Sequence, residues 1–307
     1  MTLPPAPVAD QAEPVVAQLV AALVPRCAFP PAGTPLPCAV SGGADSLALL
    51  ALAVAAGCDA TAVHVDHGLR TGSDAEAGVV EAAAHRLGAA FVARRVSVGA
   101  GPNLEARARA ARGAVLPAGT ATGHTADDQA ETILLNLLRG AGLDGLAGMR
   151  PGPAKPILAL RRAETREVCA ALGLDVVVDP SNSDPAFRRN RVRHAVLPLL
   201  DDVAGRDVAL VLARQAEVLR DEADLLDALA RDIDPADGAS LTVAPRALAR
   251  RAVRRWLVSP AGYPPDAAVV ERVLAVARGE RVACEIEGGR RVQRSGGRLR
   301  IESPAAP

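Results

Sequence analysis

One stretch, Cys38 to Ser46, limits what this chain can fold into more than any other. It reads Cys-Ala-Val-Ser-Gly-Gly-Ala-Asp-Ser, and Leu47-Ala48-Leu49-Leu50-Ala51-Leu52-Ala53, a run of strong helix formers, follows it. The pattern predicts a short buried strand, a glycine turn and the opening of a buried helix. Gly42 and Gly43 lack Cβ atoms, so the turn can take positive φ and let an anion approach the backbone. Ser41 and Ser46 add hydroxyl groups, and the helix start adds unpaired amides with a partial positive charge. Ser41, Gly42, Gly43, Ala44, Asp45 and Ser46 thus form a candidate phosphate cradle. Asp45 would repel a phosphate unless a cation such as Mg²⁺ lay between them. The bland alternative is an ordinary strand-to-helix turn with a Ser or Asp N-cap; the full S-G-G-x-D-S in this setting argues against it. A Walker A loop is excluded, because Lys155 is the only lysine and no G-x-x-x-x-G-K precedes it.

Beyond this loop, strand-like and helix-like segments alternate. Ala60 to Asp66 reads as a strand, Ser73 to Leu87 as a helix, Phe91 to Val98 as a strand and Asn103 to Val115 as a helix. Gly119 to Gly123 and Thr125 to Arg139 repeat the pair. Such alternation predicts βαβ units and a doubly wound parallel α/β sheet. Ligands bind such sheets beyond the carboxyl ends of the strands. Ser41–Ser46, His64–Arg70 and His124–Glu131 are all expected at those ends.

Composition removes several alternatives. Half of the 307 residues are hydrophobic but only 2% are aromatic, so Ala, Val and Leu must build the core. The five cysteines are scattered and never form C-x-x-C, which argues against a disulfide framework and against a zinc or iron–sulfur site. No apolar run approaches bilayer length and no cationic leader opens the chain, so a soluble cytoplasmic protein without membrane contact is expected. Formal net charge is zero. Any affinity for nucleic acid must therefore come from local patches.

His64 and Asp66 admit a metal-ligand reading with His67, but the cluster is small and a loop lining a nucleotide pocket fits better. Thr125-Ala126-Asp127-Asp128 has the form of a capping box, and Asp128 and Glu131 share one helix face. Two carboxylates there suit helix capping and suit a cation or an ammonium group. Gly140 to Pro156 is expected to be a loop and Arg162 to Leu172 a helix, with Val176-Val177-Val178 a short strand after it. Arg188, Arg189, Arg191, Arg193 and His194 then follow with no acid among them, a pattern that suits phosphate. A long amphipathic helix is expected from Asp201 to Arg231, with an acidic outer face. The tail reads as helices at Pro245–Val258 and Pro265–Arg278, followed by three short strands. Arg250, Arg251, Arg254 and Arg255 crowd the first of these helices beside Trp256 and suit RNA phosphates or a docking partner. Domain boundaries are set at 1–200, a helical linker at 201–238, and a small basic α+β domain at 239–307.

The glycine loop resembles that of the N-type ATP pyrophosphatases, which have an adenine nucleotide alpha hydrolase-like fold. Further motifs narrow the resemblance: H-V-D-H-G-L-R from His64, N-L-E-A-R-A-R-A-A-R from Asn103, G-H-T-A-D-D-Q-A-E-T-I-L-L-N-L-L-R-G from Gly123, and D-P-S-N-S-D-P-A-F-R-R-N-R-V-R-H from Asp179. Together they resemble the tRNA(Ile)-lysidine synthetase family over about residues 36 to 200. The resemblance implies a ligase acting on tRNA(Ile) with a CAU anticodon, using ATP, Mg²⁺ and free L-lysine. It implies phosphate binding at Ser41, Gly42, Gly43 and Ser46, Mg²⁺ orientation by Asp45, and receipt of lysine by Asp128 and Glu131. Arg112, with Arg191 or Arg193, would stabilise phosphates or the adenylated base, and His124 would assist. Arg188, Arg189 and the arginines of residues 250–255 are expected to touch tRNA; a homodimer is compatible with all of this. Another pyrophosphatase, such as a tRNA thiolase or an NAD synthetase-like enzyme, and a non-enzymatic nucleotide-binding RNA chaperone are the rivals.

Overall fold

The computed structural model describes residues 9–66, 73–96, 104–258 and 265–303. The chain forms two compact units, Met1–Glu217 and Val218–Pro307. The first opens with helix α1 (Ala9–Leu23) and then alternates β1 (Pro35–Ala39), α2 (Ala44–Ala55), β2 (Asp59–Asp66), α3 (Ser73–Leu87), β3 (Ala90–Arg95), α4 (Leu104–Val115), β4 (Ala121–Thr122) and α5 (Ala126–Leu138). The strands are parallel in the order β3-β2-β1-β4. The chain thus builds outward from β1 to β3 and then crosses to the other side of β1. That reversal between β1 and β4 is the topological switch point where open α/β sheets hold ligands. Register makes the edge even: Ala39 at the end of β1 pairs with Val63 on one side and Thr122 on the other. The segments that leave β1 and β4 therefore emerge side by side, next to His64, while β2 runs on to Asp66.

The core explains why the sheet closes around α2. Leu47, Leu49, Leu50 and Leu52 are wholly buried, as the unbroken apolar run predicts, and they pack with Leu36, Cys38, Val80, Ile157, Leu160 and Val168. Burying such a side chain contributes roughly 1.5–3 kcal/mol, so α2 is fixed firmly and its first turn with it.

Four helices follow: α6 (Leu143–Leu146), α7 (Arg162–Ala171), α8 (Arg188–Arg191) and α9 (Leu197–Ala204). A π-helical turn at Val192–Val196 joins α8 to α9. The Leu197 amide donates to the Val192 carbonyl five residues back, the bond that widens the turn. Helix α10 (Val208–Leu229) then leads out of the first unit.

Several expectations need correction. Val176–Val178 is no strand: the Val177 amide donates to the Gly42 carbonyl at 3.0 Å, and Val178 is exposed. A single backbone bond to a loop leaves no ladder to extend. The loop at 140–156 contains the one-turn helix α6. The expected helix from Asp201 is two helices, because Gly205 adopts φ +61° and ends α9 before α10 begins at Val208. Strand β3 stops at Arg95, and Ser97 and Val98 lie outside the described residues. Helix α1 has no counterpart among the sequence-based expectations, since Pro14 within it reads as a breaker.

The second unit adds α11 (Gly238–Val243), α12 (Arg246–Trp256) and α13 (Ala267–Ala277). An antiparallel sheet follows, β5 (Ala283–Glu285), β6 (Arg291–Ser295) and β7 (Arg298–Glu302). Gly296 and Gly297 both take positive φ between the paired Ser295 and Arg298, the geometry a two-residue hairpin demands. Val253, Val273, Val276 and Val292 are fully buried in its core. None of the described helices is long and apolar enough to cross a membrane.

Candidate active site

The glycine loop sits where β1 delivers it. Gly42 has φ +87°, and a Cβ there would come within 2.7 Å of Val177 Cγ2. Gly43 is the extended N-cap of α2. The loop is closed by its own serines: Ser41 N–H donates to Ser46 Oγ at 3.1 Å, and Ser46 Oγ–H donates to the Gly43 carbonyl at 2.8 Å. Ala44 and Asp45 occupy the first turn of α2, where amides have no intrahelical acceptor and present donors to an anion. A second glycine completes the cradle. A Cβ on Gly123, just past β4, would lie 2.7 Å from the Asp45 carbonyl oxygen. Only glycine lets the end of β4 meet the first turn of α2 this closely.

His64, at the end of β2, is 2% exposed. Its Nδ1 lies 2.9 Å from the Val40 carbonyl, which can only accept, so Nδ1 carries the proton. Among the described residues Nε2 is then a bare acceptor, buried and without a partner. It fits an amine or hydroxyl of a bound nucleotide. Asp66 accepts from Arg95 Nε at 3.2 Å. His67 and the rest of that loop lie outside the described residues. Past β4, Thr122 Oγ1–H donates to the Ala154 carbonyl and so accepts from His124 Nδ1 at 2.8 Å. Among the described residues no group of His, Cys, Asp and Glu is arranged to hold a metal by itself.

The centre of the site is a set of carboxylates and arginines that meet only in three dimensions. Glu131, on α5, is fully buried. Its Oε1 accepts from Arg162 Nη1 (3.2 Å) and Arg193 Nε (2.7 Å), and its Oε2 from Arg189 Nε (2.6 Å) and Arg193 Nη2 (3.2 Å). Asp128 divides its two oxygens between two duties. Oδ2 accepts from the amide and hydroxyl of Thr125, the capping-box arrangement, while Oδ1 accepts from Arg162 Nη2 and Arg189 Nη2, each at 3.0 Å. The helix cap is therefore realised on one oxygen, while the other is held by two of the protein's own guanidinium groups. Arg189 and Arg193 are four apart across the start of the π turn, so they present to the same partner. Arg162 is placed by its own backbone, whose amide donates to Asp127 Oδ2 at 2.7 Å.

Arg162 also reaches the glycine loop, with Nε 3.4 Å from Asp45 Oδ2. Thr165 Oγ1, one turn along α7, donates to Asp45 Oδ1 at 2.5 Å. One guanidinium thus spans three carboxylates. Burial pushes Asp45 above the ordinary carboxylate range, an effect that Thr165 and Arg162 only partly offset. For Asp128 burial also acts upward, but Arg162, Arg189 and the Thr125 amide outweigh it and hold the group below its usual value. Asp45, a hard oxygen donor that gains from an added cation, fits Mg²⁺ beside a phosphate chain.

The structure therefore brings together Ser41 to Ser46, Asp128, Glu131, Arg189 and Arg193. Arg112 lies exposed in the last turn of α4, and Arg188 and Arg191 are exposed on α8. In the second unit Arg250 pairs with Glu271, Arg251 with Asp227, and Arg255 donates to the Ala230 carbonyl. Sequence reasoning missed Arg162, Thr165, Gly123 and Val177. Arg162 and Thr165 open a plain amphipathic helix. Gly123 stands in a motif that by itself gives it no role, although a glycine directly after a strand hints at close backbone approach.

Residues 16–200 match the family profile described as the PP-loop domain. The tRNA(Ile)-lysidine synthase of Nocardia farcinica is 46% identical over 253 residues, covering 77% of this chain and 80% of that protein. The same-named proteins of Mycolicibacterium paratuberculosis (48% over 238 residues; 72% and 73% covered) and Thermobifida fusca (41% over 292 residues; 87% and 89% covered) are similar along most of their length.

Proposed function

The chain belongs to the tRNA(Ile)-lysidine synthase family, and from that premise we propose that it adenylates the wobble cytidine of a CAU-anticodon tRNA(Ile) and joins free L-lysine to it. In the first step O2 of the cytosine attacks the α-phosphorus of ATP and pyrophosphate leaves. In the second, the lysine ε-amino nitrogen attacks carbon 2, loses a proton, and AMP departs with O2. Adenylation converts a poor leaving oxygen into a good one. The protein's task is to position the reactants and offset charge on the departing groups.

The observation that carries this reading is Arg162, which joins Asp45 at the nucleotide loop to Asp128 and Glu131 at the far side of the crevice. ATP phosphates at the Ser41–Ser46 loop would be next to Asp45, and a lysine ammonium at the Asp128–Glu131 pair would be one side chain away. Mg²⁺, when bound at Asp45, would neutralise phosphate charge there. The Glu131 oxygens each already accept two N–H groups, so the ammonium would enter by exchanging with an arginine rather than by filling a gap. The freed guanidinium would then be available to phosphate. His64 Nε2 and the amides of Ala44 and Asp45 would hold the nucleotide, and His124 the neighbouring groups.

Mass analysis of tRNA(Ile) bearing a CAU anticodon, after incubation with ATP and lysine, tests the reading directly. A mass gain matching lysine addition at cytidine, dependent on both substrates, is expected. Asp45→Asn should abolish it while leaving the melting temperature near that of the wild type. A protein that adds no lysine mass to this tRNA while turning over ATP, or that modifies a different base, would belong to one of the rival pyrophosphatase activities.

A further inference from the structure

A groove of about 360 Å³ lies on the outer side of the charged centre. It runs between α5 and the start of α8 and is lined by Thr132, Leu135, Asn136 and Arg139 on one wall and Ala186 to Arg189 on the other. The α5 residues stand at i, i+3, i+4 and i+7, so one continuous helix face forms that wall. We propose that this groove binds an unpaired nucleotide of the tRNA substrate, with its base against Phe187 and its phosphate at Arg139 and Arg188. The proposal rests on the tRNA-modifying reading above and gives that reading a place to hold the anticodon loop.

Three observations favour a nucleotide over other occupants. Phe187 is one of only three phenylalanines in the chain, yet it is 38% exposed and lines the groove. A base has an aromatic face that stacks on such a ring whatever its identity. Three arginines line the groove and no acid does, so an anion is favoured and a cationic or acidic-patch-seeking partner is not. Among the described residues, Arg139 and Arg188 are exposed without a carboxylate partner and keep their charge for a ligand. Arg189, by contrast, is held by Glu131 and Asp128, and it fixes the inner end of the groove next to the site where lysine would bind. The backbone around Phe187 is set by main-chain bonds, Phe187 N–H to the Asp184 carbonyl and Arg191 N–H to the Phe187 carbonyl, so the ring can be changed without removing them.

The test measures lysidine formation on tRNA(Ile) with a CAU anticodon. Phe187→Ala and Phe187→Leu should each raise KM for tRNA, by about five-fold to over a hundred-fold, the range that base stacking supplies. Phe187→Tyr should stay near wild type, and KM for ATP should not move in any of the three. Recovery by leucine as well as tyrosine would mean that the ring merely packs, and would overturn the proposal. The double variant Arg139→Gln, Arg188→Gln should flatten the dependence of log KM for tRNA on log salt by roughly 0.7 for each phosphate that an arginine no longer neutralises; an unchanged slope would overturn it too. If the wild type modifies no tRNA, the reading beneath the proposal fails, yet the groove can still be judged. Binding of a fluorescent CAU anticodon stem-loop should weaken in Phe187→Ala and not in Phe187→Tyr, and equal binding by all three proteins would remove the groove.

Discussion

Each compact unit carries a cluster of arginines that faces carboxylates, and the two clusters do different physical work. In the first unit Arg162, Arg189 and Arg193 converge on Glu131, which is 0% exposed. In the second, Arg246 and Arg250 reach from α12 to Glu271 on α13, with Arg246 70% and Glu271 34% exposed. A buried carboxylate that loses its partners is left as an uncompensated charge, and so is an arginine that loses the carboxylate. An exposed pair exchanges one set of water interactions for another and contributes little. The first cluster is therefore a fixed internal structure from which a ligand must displace something. The second is a surface pair whose charges remain largely solvated, so Arg246 and Arg250 can leave Glu271 at small cost. The same residue type thus forms buried architecture in one unit and solvated surface pairs in the other.

Glu131→Gln is the most severe way to break this contrast. Three guanidinium groups lose their shared anion, and a cost of about 3 kcal/mol is expected, at the low end for buried pairs because the arginines keep some solvent. Thermal unfolding of the first unit should fall by roughly 6–12 °C. If the pair also receives lysine, KM for lysine should rise about ten-fold or more while KM for ATP stays put. A lowered melting temperature with unchanged lysine KM would leave Glu131 a purely structural anchor.

Acid should separate Asp128 from the rest. Its folded value is depressed, so the stability it contributes is present above the ordinary carboxylate value near 4 and is lost as pH falls through the folded value. The melting temperature of Asp128→Asn should lie below that of the wild type at pH 7, and the gap should close on acidification below about pH 4. A gap that stays constant with pH would mean the arginines do not stabilise the ionised form.

Glu271→Gln should cost less than about 1 kcal/mol, and 0.5 M salt should erase the difference. A large, salt-insensitive loss would place this pair in the same class as Glu131. The smallest thermal effect is expected at Asp45. Burial holds its folded value above the ordinary one, so the ionised group opposes folding at neutral pH, and that penalty lifts as pH falls through the folded value. Asp45→Asn should therefore leave the melting temperature at pH 7 unchanged or slightly raised, while catalysis is lost. A clear fall would show that the bonds to Thr165 and Arg162 outweigh the cost of burying the charge.

The elements that sequence alone determined are those whose causes are local. The strand, glycine turn and buried helix around Ser41–Ser46 follow from adjacent residues, as does Ser73–Leu87, whose observed bounds coincide with the expected ones. The alternation of strands and helices gave the parallel sheet and the edge where Ser41, His64 and His124 emerge, because backbone periodicity and strand direction leave few other arrangements. The motifs carried the family. Tertiary structure decided what those motifs touch. Asp128 and Glu131 stood out as two carboxylates on one helix face, but their partners come from 31 to 62 residues further along the chain. No local pattern distinguishes Arg162 from the arginines beside it; it matters because Asp127 fixes its backbone between two groups of acids. Val176–Val178 had the composition of a strand and found no strand to pair with, so it packs one valine under Gly42 instead. Pairing of charges and packing of surfaces depend on distances through space, and a chain records those only once it has folded.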